Sequence, residues 1–314
     1  METKQYTDFL LSIRTLSTGQ LRHLGTRVDH QLRQDDVNHA LEQRLKKLSR
    51  CVHCQSAHIV RWGHNAGLQR FRCKQCSKTF NELTKTPFTR LRNRNKLGTY
   101  AQCMVAGKTL RQAAKFCQIS LTTSFRWRHH FLAKPEQHKA KQLSGIVEVD
   151  ETFFRESFKG KRQITHRKPR QRGGGKACDA APLVPVLLML DRSEHEADFV
   201  LVSDCIAEVH PCMENRIKAD SVLCTDGSQL YPNFAKNHKL FHKRILNENM
   251  ARTLESGTFH IQTVNNYTAR LKAWLPRFYG VGTDYLANYL AWWRSTAFEE
   301  LSTGRDWLNE ALSP

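Results

Sequence analysis

The sequence predicts a multidomain α/β protein, and three observations carry that expectation. Charge is split: residues 1–145 hold 27 Lys and Arg against 8 Asp and Glu, a net +19, while residues 146–314 hold 22 against 21. Two tight cysteine pairs interrupt the basic half. The balanced half alternates apolar, β-branched runs with helical patterns, as a sheet flanked by helices does. At 314 residues the chain is long enough for two or three domain cores. A +19 excess on one half predicts a polyanionic partner, and nucleic acid fits better than a membrane surface because no basic amphipathic helix with an aromatic face stands out. No apolar run can cross a bilayer and "METKQYTDFL" does not read as a signal peptide, so a cytoplasmic location is expected.

Residues 1–48 read as a helical region. Leu10, Ile13, Leu16, Leu21 and Leu24 recur at helical intervals with breaks near Ser17–Gly19, and Leu41, Leu45 and Leu48 share a later face. Such an arm serves dimerisation, contacts DNA, or packs on its own chain.

Residues 49–84 read as a zinc ribbon. Cys51 and Cys54 form one C-x-x-C knuckle, Cys73 and Cys76 the other, with eighteen residues between. Each knuckle offers two thiolates from one turn, and two knuckles close a tetrahedral Zn²⁺ site with no open position, hence a structural one. "AHIVRWG" and "LQRFRC" read as the short strands between. His53 and His64 are not needed as ligands. Arg61, Arg70, Arg72, Lys74 and Lys78 are placed to meet phosphates. The remaining six cysteines, Cys103, Cys117, Cys178, Cys205, Cys212 and Cys224, read as small core residues in a reducing compartment.

Residues 95–135 contain a helix-turn-helix pattern. Leu110, Ala113, Ala114 and Cys117 make the inner face of one helix, "CQIS" the turn, and Ser120 or Thr122 the cap of a second helix carrying Phe125, Trp127 and Phe131. Thr122, Thr123, Arg126 and Arg128 on that second helix suit groove and phosphate contacts. An ordinary αα-hairpin is the alternative.

Residues 145–300 form the expected sheet domain. "GIVEVDETFF" (145–154) is a strand, "APLVPVLLMLDR" and "ADFVLVSD" follow as strands, "HPCMENRIKAD" as a helix, and "SVLCTDG" as a strand ending in an acid. "KLFHKRIL" is a further strand; "VNNYTARLKAWLPRF" and "TDYLANYLAWWRSTAFEEL" are helices. The basic, Gly-rich stretch 158–177 reads as a loop that is mobile when free. Carboxylates in an apolar strand are costly unless a cation or a partner compensates them. Asp150 on the first strand and Asp226 at a neighbouring strand's end are suited to hold Mg²⁺ or Mn²⁺, which leave positions for water and phosphate. Glu148 shares Asp150's face and is placed to support that site; Glu151 points to the other face, toward a salt-bridge partner or solvent.

"VEVDETFF", "CTDGSQLY" and "HIQTVNNYTARLK" resemble the three catalytic blocks of bacterial insertion-sequence transposases with an N-terminal zinc ribbon and a ribonuclease-H-like core. The narrower likeness is to the group with an Asp, Asp, Glu or Asn, then Lys set. The resemblance covers about residues 45–295. It implies Asp150, Asp226 and Asn265 as metal ligands, with His260 and Lys272 completing the catalytic set. Asn265 stands where many relatives have Glu, and an amide oxygen ligates without adding charge. Lys272 lies two helical turns on, on the same face as Asn265. The resemblance further implies double-stranded DNA partners (terminal inverted repeats and target), a homodimer or larger assembly on DNA, a nucleoid-associated location, and metal-dependent cleavage and strand transfer. The rival readings are a non-catalytic DNA-binding regulator and a structure-specific nuclease.

Overall fold

In the computed structural model, residues 3–161, 163–165, 182–246, 253–254, 257–298 and 300–313 are described. Most of the basic loop 158–177, and Cys178 with it, therefore lies outside the described residues. The chain divides into two compact units, Met1–Phe131 with Leu301–Pro314, and Leu132–Glu300.

The first unit opens with helix α1 (Thr3–Ile13) and the long helix α2 (Thr18–Lys47). Ser17 begins α2: its hydroxyl accepts from the Gln20 N–H while the Gln20 side chain accepts from the Ser17 N–H, a reciprocal capping box. The leucines of α1 and of the first half of α2 do not form a buried face. The buried residues of α2 are Val37, Ala40, Leu41 and Arg44, all near its C-terminus. Strands β1 (Ile59–Asn65), β2 (Leu68–Cys73) and β3 (Thr79–Phe80) follow as one antiparallel sheet. Its core is small: Cys51, Phe71, Cys73 and Phe80, with Leu45 against them.

Three short helices complete this unit's centre: α3 (Leu97–Val105), α4 (Leu110–Cys117) and α5 (Leu121–Leu132). Thr109 and Gln112 form a second capping box at the start of α4. Gln118 takes a left-handed conformation (φ 51°) and ends α4, so the turn falls on the expected "CQIS". Ser120 caps α5 by accepting from the Thr123 N–H at 3.1 Å. Tyr100 of α3 donates to the Ser124 carbonyl and stacks on Phe131, tying α3 to α5.

In the second unit, β4 (Ile146–Arg155), β5 (Leu183–Asp191) and β6 (Glu196–Val200) form an antiparallel meander. After α6 (Ile206–Met213), strand β7 (Val222–Thr225) pairs parallel to β4; after α7 (Pro232–Asn237), β8 (Phe241–Arg244) pairs parallel to β7. The order β6-β5-β4-β7-β8 is a mixed sheet with β4 at its centre, consistent with a ribonuclease-H-like core. A small ladder of β9 (Thr253–Leu254) and β10 (Phe259–His260) precedes α8 (Gln262–Trp274) and α9 (Leu286–Ala297). The last helix, α10 (Gly304–Ala311), belongs to the first unit.

One sheet face carries Val147, Val149, Leu187, Met189, Ala197 and Leu223 onto Val209, Met213 and Phe234 of α6 and α7. The alternate residues of β4, Glu148, Asp150 and Thr152, face the other way. Two sequence expectations need correction. The helix expected over "HPCMENRIKAD" starts earlier, at Ile206, and stops at Met213, because Glu214 and Asn215 leave the helical region and Asn215 is left-handed (φ 59°). Cys205 is exposed and Cys212 half-buried, so only Cys103, Cys117 and Cys224 are buried as expected.

Candidate active site and metal centre

The two C-x-x-C turns bring their four sulfurs together, all within 4.8 Å of one another. Cys51 Sγ lies 3.7 Å from Cys76 Sγ, and Cys54 Sγ lies 3.6 Å from Cys73 Sγ. A tetrahedral Zn²⁺ with bonds of about 2.3 Å requires sulfurs about 3.8 Å apart, so the donor set fits that ion. The Cys76 N–H aims at the Cys73 sulfur at 3.5 Å and lowers that thiol's pKa, while the neighbouring sulfurs push that of Cys54 up; one proton shared among four crowded thiols is what a cation would displace. Among the described residues, no other group of three or more His, Cys, Asp or Glu is gathered this closely.

On α5, Thr122 and Arg126 are exposed, as a contact residue must be. Thr123 is half-buried, and its hydroxyl lies 2.8 Å from that of Ser120 within the helix cap. Arg128 contradicts its assignment to groove and phosphate contacts. It is 0% exposed and donates from Nη2 to the Lys108 carbonyl at 2.7 Å. It lies four residues from buried Ser124 and next to buried Trp127, on the inner side of the helix.

In the second unit, the β4–β7 register pairs Glu148 with Cys224. Two residues further along these parallel strands, Asp226 falls beside Asp150. Both are half-buried. Asp150 Oδ1 accepts from the Glu151 N–H at 3.0 Å, and Asp226 Oδ1 accepts from the Ser228 N–H at 2.8 Å. Burial pushes the Asp150 carboxyl up to about 6; the negative charge of Asp226 adds to this and Lys272 opposes it. Lys272 of α8 is thus near enough to Asp150 to act on it. Asn265 is exposed, seven residues before Lys272 and on the same flank of α8; Asn266 is turned about 100° away.

Glu151 is half-buried on the opposite face of β4 from Asp150. Its carboxylate accepts the Tyr231 hydroxyl proton. Burial raises it to about 7; Asp150 and Asp226 push the same way, while the Tyr231 hydrogen bond opposes them. Glu148 is 1% exposed: it ion-pairs with Arg192 at 2.8 Å, lies 3.3 Å from His260 Nδ1 and accepts the Val264 N–H at 2.9 Å. It anchors the start of α8, the helix that carries Asn265 and Lys272. His260 packs between Glu148 and the Arg192 guanidinium, at 3.0 and 3.3 Å from the latter.

Sequence reasoning singled out neither Arg192 nor Tyr231. Tyr231 follows Asp226 within the quoted "CTDGSQLY", which is the one local signal available; Arg192 carries none.

Residues 142–294 match the family of ISXO2-like transposase domains. Over that stretch the chain is similar to insertion-sequence transposase domains of that family. It is also 24% identical over 250 residues to a protein of Halobacterium salinarum described as an uncharacterized protein in transposable element ISH50, covering 76% of this chain and 82% of that one. A pre-cleavage Mos1 transpososome structure aligns with 64% of this chain and 76% of its own at 10% identity and a TM-score of 0.22, a likeness too slight to bear on fold or mechanism. No described helix is long and apolar enough to cross a membrane.

Proposed function

We propose that this chain is a DNA transposase that binds the terminal inverted repeats of its own element, cleaves them and joins the 3′-hydroxyl to target DNA. The observation that carries the reading is that Asp226, directly after β7, follows the register of that strand beside Asp150 of β4, close enough for its charge, and that of Lys272, to act on Asp150. Two half-buried carboxylates that repel each other are relieved by a shared cation. Asp150, Asp226 and Asn265 would hold Mg²⁺ or Mn²⁺, which supplies charge neutralisation at the scissile phosphate and an activated water.

The rest of the work falls to the protein. Lys272 meets the phosphate beside the scissile bond. The Glu148–Val264 tie fixes the first turn of α8, and with it the direction in which Asn265 and Lys272 point. Tyr231 holds Glu151 so that its charge stays on the far face of β4 from the DNA. In the first unit, Cys51, Cys54, Cys73 and Cys76 would hold a structural Zn²⁺, and Thr122 and Arg126 of α5 contact DNA. Engaging two element ends implies at least two copies on DNA.

Asn265 favours one rival, a non-catalytic DNA-binding regulator, because a neutral amide adds no charge to the site. Incubation with Mn²⁺ and labelled terminal DNA separates the readings. Joined products support a transposase, cut products alone a nuclease, and a mobility shift without either a regulator.

A further inference from the structure

The chain has six tryptophans. Trp127, Trp274, Trp292, Trp293 and Trp307 are all buried; Trp62 is 47% exposed. Tryptophan is rarely left open without a use, since its ring offers a large apolar area to bury. The exposure of Trp62 is built into the strand. The β1–β2 register shifts between Arg61 and His64, and Gly63 takes φ +70°, a conformation that side-chain-bearing residues rarely adopt. The bulge sets Trp62 off the regular ladder.

Arg72 crosses from β2, its guanidinium carbon 4.8 Å from the Trp62 ring centroid. The ribbon core lies elsewhere, at Phe71, Phe80, Cys51 and Cys73. Arg61, His64 and Lys74 are exposed nearby in sequence, and Arg70 is half-buried. An aromatic ring backed by a guanidinium, with Arg61, Arg70 and Lys74 close by in the chain, matches what a nucleobase and its phosphates require: a π-face to stack on and positive charge for the backbone.

Phosphate contact alone would need no ring. Inside an intact duplex each base face is covered by its neighbours, so a flat aromatic platform gains little there. It gains most where a base is unpaired or terminal. We propose that Trp62 and Arg72 form a stacking platform for an unpaired or end-exposed nucleobase of DNA, with the neighbouring basic side chains on its phosphates. This rests on the reading of the chain as a DNA-binding protein, and adds that the ribbon senses the state of the end.

The test uses the full chain with zinc bound. Affinity is measured by fluorescence anisotropy for a blunt duplex and for the same duplex with a single-stranded tail of roughly five nucleotides, at one salt concentration. Wild type should prefer the tailed DNA. Trp62→Ala should lose about tenfold on tailed DNA and less than about twofold on the blunt duplex, and Trp62→Phe should keep most of the preference, since a ring remains. A second measurement needs no variant. Trp62 is the exposed tryptophan, so tailed DNA should shield wild-type fluorescence from acrylamide while blunt duplex at equal occupancy should not. Equal losses on the two DNAs, no tail preference in the wild type, or equal shielding by both would overturn the platform and leave duplex binding intact. A wild type that binds neither DNA would remove the DNA-binding reading and the platform with it.

Discussion

The Glu148 carboxylate on β4 accepts a hydrogen bond from the Val264 backbone N–H in the first turn of α8, at 2.9 Å. The residue at the helix N-cap is Ile261, whose side chain has no acceptor to offer. A carboxylate from the central strand thus satisfies an N–H that the helix leaves open, and its charge suits the positive end of the helix dipole. Because Glu148 is buried and also holds Arg192, Glu148→Ala leaves both partners uncompensated. A loss of about 2–4 kcal/mol in urea unfolding is expected. Glu148→Gln keeps an acceptor for Val264 and should lose less.

The Asp150 carboxyl responds to pH in a direction that can be worked out. Its folded-state pKa is raised to about 6, above the usual value near 3.9. The folded protein therefore holds the proton more tightly than the unfolded chain between about pH 4 and 6, and stability falls as pH rises through that window. Asp150→Asn mimics the neutral form. Without added divalent cation, the variant should melt a few degrees higher than wild type at pH 8 and level with it below pH 4. A wild type that melts higher at pH 8 would show that Asp150 is stabilised by its charge.

Two arginines two residues apart on α5 should behave differently. Arg126 is exposed and Arg128 is buried. Arg126→Ala should weaken DNA binding and reduce the slope of log affinity against log salt by about 1, with melting unchanged. Arg128→Ala should lower the melting temperature. Its salt slope should match the wild type at temperatures where it is folded.

Zinc should be inseparable from the ribbon. A core of Cys51, Phe71, Cys73 and Phe80 is too small to fold unaided. Metal analysis should give one Zn²⁺ per chain, lost in the Cys73→Ser, Cys76→Ser double variant. Retained stoichiometry in that variant would move the site away from these cysteines.

The elements most legible in the sequence were those whose pattern is local. "GIVEVDETFF" reads as a strand because β-branched and aromatic residues fill it, "APLVPVLLMLDR" because it is a short continuous apolar run, and the cysteine knuckles were fixed by spacing alone. Parity along β4 correctly placed Glu148 and Asp150 on one face. What parity did not contain was the partner: Val264 is 116 residues from Glu148, and Tyr231 is 80 from Glu151. Glu148, Asp150 and Glu151, close together in sequence, therefore have three separate sets of partners. Arg128 was misassigned although the signal was local. Ser124, Trp127, Arg128 and Phe131 follow the i, i+3, i+4, i+7 spacing of one helix face, and the charge of Arg128 concealed that it belongs there. The leucines of α1 show the limit of spacing alone: it marks the helix, as expected, and not whether its apolar side is buried within the chain.

The central claim is that Asp150 and Asp226 jointly carry the chemistry, and single-turnover cleavage of labelled terminal DNA tests it most directly. Wild type, Asp150→Asn and Asp226→Asn are compared across Mn²⁺ concentrations, with binding measured on the same DNA. Both variants should bind as the wild type does and cleave at least a thousandfold more slowly, roughly the scale of losing a group essential to charge stabilisation. Cleavage by either variant at the wild-type rate would contradict the claim.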